Sequence, residues 1–294
     1  MRTLFLALLL CVSAAQAQTG TPPDRTDDNL IVAAYNIQFM GERAHDLYKL
    51  AKAIQHFDVC GVEELKGEAE LRKLRDALEA ETGQQWGYVF GVRTHRPQGD
   101  YHEAFGALWR KDRVELGDGV IGGLWDLKEE FRNDPFIVSF RRGNFDFSLI
   151  LLHTRWTNDA EGTRANEVAA LGRQIQWFRT FLPEKDLLMA GDFNYPGTRT
   201  EMKQMATAAG LKQLDKDPKT TFSGNGESYV SAYDHIYANP FLTKEYVAES
   251  ANALDVTRVV YGDNSQASMA AAKRELSDHL PVFAVFRTDQ ADDD

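Results

Sequence analysis

Short apolar runs recur along this chain, and most of them stop abruptly at Asn, Asp, Glu or His. The sharpest is Leu187 to Ala190, which Gly191 breaks just before Asp192, Phe193 and Asn194. Side chains alternate along extended backbone, so Asp192 and Asn194 project to one side while Phe193 turns back towards a core. Similar runs predict strands at residues 30–35, 59–62, 86–92, 104–109, 113–120, 136–140, 145–153, 232–238 and 281–286. Other stretches repeat at helical spacing: Leu47, Leu50, Ile54 and Phe57; Leu71, Leu74 and Leu78; Val168, Leu171, Ile175 and Phe178. The tract Ser223 to Ser228, rich in Gly, Ser and Asn, reads as a surface loop, and no internal repeat is present. Mixed strands and helices with polar strand ends predict an α/β (α+β) chain of layered sheets flanked by helices, with a site at one rim.

Composition narrows the picture. The chain has 294 residues, 43% hydrophobic and 26% charged, which suits one large domain with a sizeable core. Residues 1–17 stand apart as a leader: Arg2, the apolar run Leu4 to Val12, then Ala15, Gln16 and Ala17 as a cleavage signal. That run is too short to span a bilayer, and no later stretch reaches the roughly 18 apolar residues a spanning helix needs. The expected organisation is a signal peptide at 1–17, a flexible linker at 18–29, one domain at 30–287 and an acidic tail at 288–294. The expected destination is the periplasm or the medium. Cleavage removes Cys11 and leaves Cys60 without an intramolecular partner, so stability must come from the core. The formal charge of −11 becomes −12 without the leader, which excludes nucleic-acid binding by bulk positive charge. A nuclease remains compatible with it, because bound cations or a local basic rim offset an acidic body.

Seven strand ends share one grammar: AAYNIQ at Asn36, CGVEEL at Glu64, YHEAFGALWR at Glu103, LILLHT at His153, GDFN at Asp192 and Asn194, AYDHIY at Asp234, and SDHLPV at Asp278 and His279. In these motifs the chain resembles the endonuclease/exonuclease/phosphatase superfamily, and its deoxyribonuclease I branch most of all, from about Asn29 to Phe286. GDFN and SDHLP are shared across that superfamily, while YHEAFGALWR, LLHT and AYDHI resemble the deoxyribonuclease I pattern. The resemblance implies a four-layer sandwich of two packed mixed β-sheets flanked by helices, with a metal-dependent phosphodiesterase site at one rim.

Hydrolysis of a phosphodiester needs an activated water, stabilisation of charge on the phosphate and a proton for the leaving oxygen. The resemblance makes Glu64 the metal carboxylate, with Asn36 beside it, and lets Asp192, Asn194 and Asp278 orient the phosphate or complete the metal site. His279 is the expected general base, with Asp234 on its other ring nitrogen; His153, paired with Glu103, would protonate the leaving 3′ oxygen. The two roles can be exchanged. Tyr101 matches a position that stacks in the minor groove of bound DNA. His235 follows Asp234 on the opposite strand face and is left out, and Glu63 is at most a supporting residue. Where family nucleases carry an Arg, acid, Pro triplet, this chain reads Asn133, Asp134, Pro135, with Arg132 one residue away. Arg93, Arg96, Arg141, Arg155 and Arg164 fall in or near predicted loops, and none is assigned as a ligand.

The expected function is an exported, divalent-metal-dependent endonuclease that hydrolyses DNA without strong sequence preference. Magnesium is the expected cofactor, with manganese or calcium as alternatives. The chain is expected as a monomer without stable membrane association. The superfamily also contains sphingomyelinases and inositol polyphosphate phosphatases; a lipid-directed enzyme would expose an apolar hairpin, for which Leu124 and Trp125 are the candidate. The alternative of another class is an inactive binding module, which predicts a missing acid or base; none is missing.

Overall fold

The apolar runs form strands because both of their faces are covered. The computed structural model describes residues 20–291 apart from 22, 92–102, 125, 127, 158–162, 183 and 240. The first half runs β1 (Asn29–Met40), α1 (Leu47–Ile54), β2 (Val59–Leu65), α2 (Glu68–Thr82), β3 (Trp86–Phe90), β4 (Ala104–Arg110), β5 (Glu115–Gly123) and β6 (Phe136–Arg142). There follow β7 (Phe145–His153), α3 (Arg164–Arg179), β8 (Leu187–Asp192), α4 (Thr200–Ala209), β9 (Lys212–Gln213) and β10 (Asp234–Ala238). The chain closes with β11 (Asn252–Ala253), α5 (Val256–Tyr261), α6 (Gln266–Glu275) and β12 (Val282–Arg287).

Two six-stranded sheets result, ordered β11-β12-β1-β2-β4-β3 and β5-β6-β7-β8-β10-β9. Most neighbours are antiparallel, but β1–β2 and β7–β8 run parallel, each joined through a helical crossover. The alternation along β7 shows how the layers stack. Leu149 and Leu151 enter the central core, while Ile150 and Leu152 pack with Val168, Leu171 and Ile175 of α3 and Met202 and Met205 of α4. Gly61 of β2 allows the two sheets to meet closely, since a Cβ there would stand 2.1 Å from the Leu151 side chain. On the first sheet, α1 and α2 bury Leu50, Ile54, Leu71, Leu74 and Leu78, each such burial being worth about 1.5–3 kcal/mol. The architecture is the expected four-layer sandwich.

The structure departs from the sequence reading in several places. The segment read as a flexible linker is tied down in its described part: Gly20 N–H donates to Ala253 O at 2.7 Å, and the Arg25 guanidinium reaches Asp58 at 2.8 Å and Gln55 O at 2.8 Å. Asp58 is fully buried and recruits both Arg25 and Arg113 as counter-charges. Helices α4, α5 and α6 carried no expectation: α4 and α6 take most of their apolar positions from Ala and Met, and α5 is only six residues long, so the periodic signal is weak. Leu124, half of the suggested membrane hairpin, is buried in the helix-side core, and Trp125 lies outside the described residues. Among the described residues no helix is long and apolar enough to cross a membrane. Cys60 is buried in β2, and burial pushes its thiol pKa well up, so it is a packing residue.

Candidate active site

Strand register brings the polar ends together. His153 at the end of β7 stands opposite Asp192 at the end of β8, and Asp192 stands opposite Asp234 at the start of β10. Residues opposite one another share a face, so these three side chains meet at one rim of the second sheet. In the first sheet Asn36 pairs in register with Glu63, and Leu65 with Ala104, which sets Glu64 beside Glu103.

Local irregularities aim the groups. β1 and β2 both shift register at this end, and Glu64 takes φ of +59°, a left-handed conformation rare for a residue with a side chain. The bulge swings Glu64 in so that Asn36 Nδ2 donates to its Oε1 at 2.8 Å and Phe39 N–H to its Oε2 at 3.0 Å. Gly191 has φ of +141°, and a Cβ there would stand 2.1 Å from Leu152 O, which explains the glycine in GDFN. Asn194, at φ +52°, closes a turn: its N–H donates to Asp192 Oδ1 at 2.8 Å and its Nδ2 to Thr154 O at 2.7 Å. Phe193 between them is fully buried in the helix-side core. Ser277 of SDHLP links two strand ends, donating to Asn36 O at 2.6 Å and accepting His279 N–H at 3.0 Å.

Two histidine–carboxylate pairs result. His279 Nδ1 lies 2.8 Å from Asp234 Oδ2, and His153 Nδ1 lies 2.7 Å from Glu103 Oε2. The remaining nitrogens converge: His279 Nε2 and His153 Nε2 are each 3.6 Å from Asp192 Oδ2. Burial opposes a charge on either ring, but Glu103 for His153 and Asp234 for His279, with Asp192 adding to both, outweigh it and hold both pKa values well above the usual one. Burial raises the pKa of Glu64 and of Asp192, and the neighbouring imidazoles work against that rise.

These residues floor a cleft of about 480 Å3 whose walls include Phe39, Arg132, Trp156, Phe222, Val230 and Tyr233. Glu64, Glu103 and His153 form one group with ligand atoms within 4.8 Å of one another, and Asp192, Asp234 and His279 form a second. Asp278 lines the same cleft, half-buried, but belongs to neither group. Carboxylate oxygens packed this closely, Glu64 with Glu103 in one group and Asp192 with Asp234 in the other, suit a hard divalent cation. Asn36 does not fit that role as it stands. Its amide nitrogen, not its oxygen, faces Glu64 and Asp192, at 2.8 and 3.3 Å, while Oδ1 accepts Gln38 N–H. As it stands it bridges the two carboxylates with its donor nitrogen.

Other residues carry roles that the sequence did not expose. Glu63 is fully buried and its Oε2 accepts Asp192 N–H at 3.0 Å; burial, reinforced by Asp234, pushes its pKa well up. Asn133 donates to Glu103 Oε2 at 3.2 Å and so supports the His153 pair, while Arg132 lines the cleft. Arg155, expected in a solvated loop, is buried against Glu167 at 3.1 Å. Tyr101, Arg93 and Arg96 lie outside the described residues. Arg141 pairs with Glu115 on the surface.

The sequence pattern of the Endonuclease/Exonuclease/phosphatase family matches residues 33–279. The chain belongs to this family. The match runs from β1 to the SDHLP turn and contains every described residue of the two histidine pairs. A curated relative, a deoxyribonuclease of Thioalkalivibrio sp. (strain K90mix), is 27% identical over 271 residues, covering 88% of this chain and 71% of that protein. Among solved structures, a family protein from Leptotrichia buccalis superposes with a TM-score of 0.60 at 14% identity, over 87% of this chain and 98% of that one. A family protein from Bacteroides thetaiotaomicron gives 0.59 at 16% identity, over 89% and 95%. A mannosyl-6-phosphatase from Bacteroides thetaiotaomicron gives 0.57 at 17% identity, over 87% and 98%. At these identities the structural neighbours show the shared fold. As a member of the family the chain is a phosphoester hydrolase.

Proposed function

We propose that this chain is an exported, divalent-metal-dependent endonuclease that hydrolyses DNA phosphodiester bonds. The observation that carries the reading is the convergence of two carboxylate-backed imidazoles on one point at the cleft floor, each 3.6 Å from Asp192 Oδ2. A phosphate seated there would have a proton acceptor on one side and a proton donor on the other. His279 takes the proton of the attacking water while Asp234 stabilises the imidazolium that forms. His153, kept protonated by Glu103, delivers a proton to the leaving 3′ oxygen. Asn194 and Asp192 position the phosphate, and Glu64, Asp192 and Asp278 are the donors for the cation. When bound, that cation supplies charge stabilisation to the phosphate and offsets the carboxylates that hold the imidazoles protonated. The deoxyribonuclease relative supports DNA as substrate. Of the two hairpin residues proposed for the lipid alternative, Leu124 is buried and Trp125 lies outside the described residues.

The test is nicking of supercoiled plasmid by the chain from Gln18 onward, with magnesium or with chelator, beside His279→Ala. Nicking that needs the metal and vanishes in the variant supports the reading. An intact plasmid and an intact single-stranded oligonucleotide, with turnover of a small phosphoester instead, would sink the DNA assignment and leave the hydrolase. Export is a separate proposal that rests on the leader. The mass of the protein recovered outside the cytoplasm checks it: a chain starting at Gln18 supports export, and one retaining Met1 inside the cell opposes it.

A further inference from the structure

Of the aromatic groups on the cleft wall, none of which the hydrolytic chemistry uses, Trp156 is the most exposed. Trp156 lies three residues past His153, on the segment leaving β7, and lines the cleft with 55% of its surface exposed. A lone exposed indole needs no explanation in itself. This one, however, is fixed by the catalytic strand ends. Thr154 N–H donates to Asp192 O at 3.0 Å, Thr154 O accepts Asn194 Nδ2 at 2.7 Å, and Arg155 N–H donates to the buried Glu167 at 2.8 Å. The ring meets Tyr233 edge-on, with centroids 5.6 Å apart and planes at 68°, and the Arg164 guanidinium lies 5.6 Å from its centre. Arg164 also donates to Asn194 O at 2.6 Å. Asn194 therefore joins the phosphate site to the indole.

We propose that Trp156 is a stacking platform for an unstacked nucleobase next to the scissile phosphodiester, so that the chain acts preferentially on single-stranded DNA. The proposal rests on the DNA reading above. An aromatic face accepts any base, and a guanidinium beside the ring adds cation–π attraction, so the contact is tolerant of sequence. In a duplex both faces of each base are already covered by neighbours, and an indole reaches one only where the stack is open. Net charge agrees: at −11 the chain cannot gain much affinity by releasing counterions from a duplex, whereas stacking does not depend on bulk charge.

Steady-state kinetics on a single-stranded oligonucleotide, on its duplex, and on the same strand with tetrahydrofuran units replacing the bases would decide it. For Trp156→Ala the expected result is a KM on the single strand raised about tenfold with little change in kcat, and Trp156→Phe should recover most of the loss. Removing the bases from the substrate should raise the wild-type KM by a similar factor, and the two losses should not add. Losses that add in full, a fall in kcat in place of the rise in KM, or a wild type that cuts duplex as well as single strand would each overturn the proposal. An unaltered KM in Trp156→Ala, with DNA still cut, removes this inference alone; a wild type that cuts no DNA removes the DNA reading and this inference with it.

Discussion

Asp234 and His235 are neighbours on β10, and each completes a buried histidine–aspartate pair on its own side of the sheet. On the cleft side Asp234 holds Nδ1 of His279 and leaves Nε2 directed at Asp192, 3.6 Å away. On the helix side Asp215 holds Nδ1 of His235 at 3.0 Å, and the carbonyl of Tyr195 takes Nε2 at 3.0 Å. In both pairs burial opposes the charge and the carboxylate wins, raising His279 well above its ordinary value and His235 to about 9. Pairing and charge are therefore common to the two. What separates them is the second nitrogen, open to a cavity in one and saturated in the other. A histidine with both nitrogens engaged braces the structure, here by gripping the residue after Asn194; one with a nitrogen left towards a cleft can move a proton.

That contrast breaks most visibly if His279 or His153 is replaced by Ala. Either change should lower kcat by about 10³-fold, read by plasmid nicking. His235→Ala should leave kcat far closer to that of the wild type. It strands Asp215 without its counter-charge and should lower unfolding stability by about 4 kcal/mol in a denaturant titration. If kcat instead falls as far as in His279→Ala, the distinction between brace and proton carrier fails.

Asp234→Asn sharpens the comparison by leaving the His279 ring in place with a neutral partner, and a loss of about 100-fold in kcat is expected. The smallest effect is one of pH. His235 has its pKa raised from 6.5 to about 9, so the stability its charge contributes is complete below 6.5 and disappears as pH rises through about 9. Between pH 7 and 9 the pair should lose about 2 kcal/mol, and His235→Asn should remove that slope from the stability profile.

Much of the site was legible because its residues sit in contiguous motifs. GDFN, SDHLP, AYDHI and LLHT each name a strand and the polar group at its end, and the face alternation of β10 sufficed to set His235 apart from Asp234. Other features were hidden. The bulge and the positive φ of Glu64 break the strand alternation, so that the carboxylates of Glu63 and Glu64 both serve the same rim. The sequence set Asn36 beside Glu64 but could not say which way its amide faces, because that depends on Gln38, Glu64 and Asp192 together. Trp156 had a signal in its closeness to His153, but nothing in the sequence says that Tyr233 and Arg164 flank it. Helices α4 and α6 were missed because alanine contributes helix propensity without a strong apolar stripe, and α5 because six residues are too few to show a period.

The sequence by itself determined the layered α/β class and which polar groups end its strands, while the pairing of His279 with Asp234 and of His153 with Glu103 came from the family resemblance. The first two depend on local periodicity and on side-chain chemistry, and both are written residue by residue. The tertiary structure alone decided that two Nε2 atoms converge on Asp192, that Asn36 turns its nitrogen inward, that Arg25 is drawn onto Asp58 and that the second nitrogen of His235 is closed off. Each of these is a meeting of groups far apart in sequence. Their geometry follows from sheet register, bulges and burial, which exist only once the two sheets have packed.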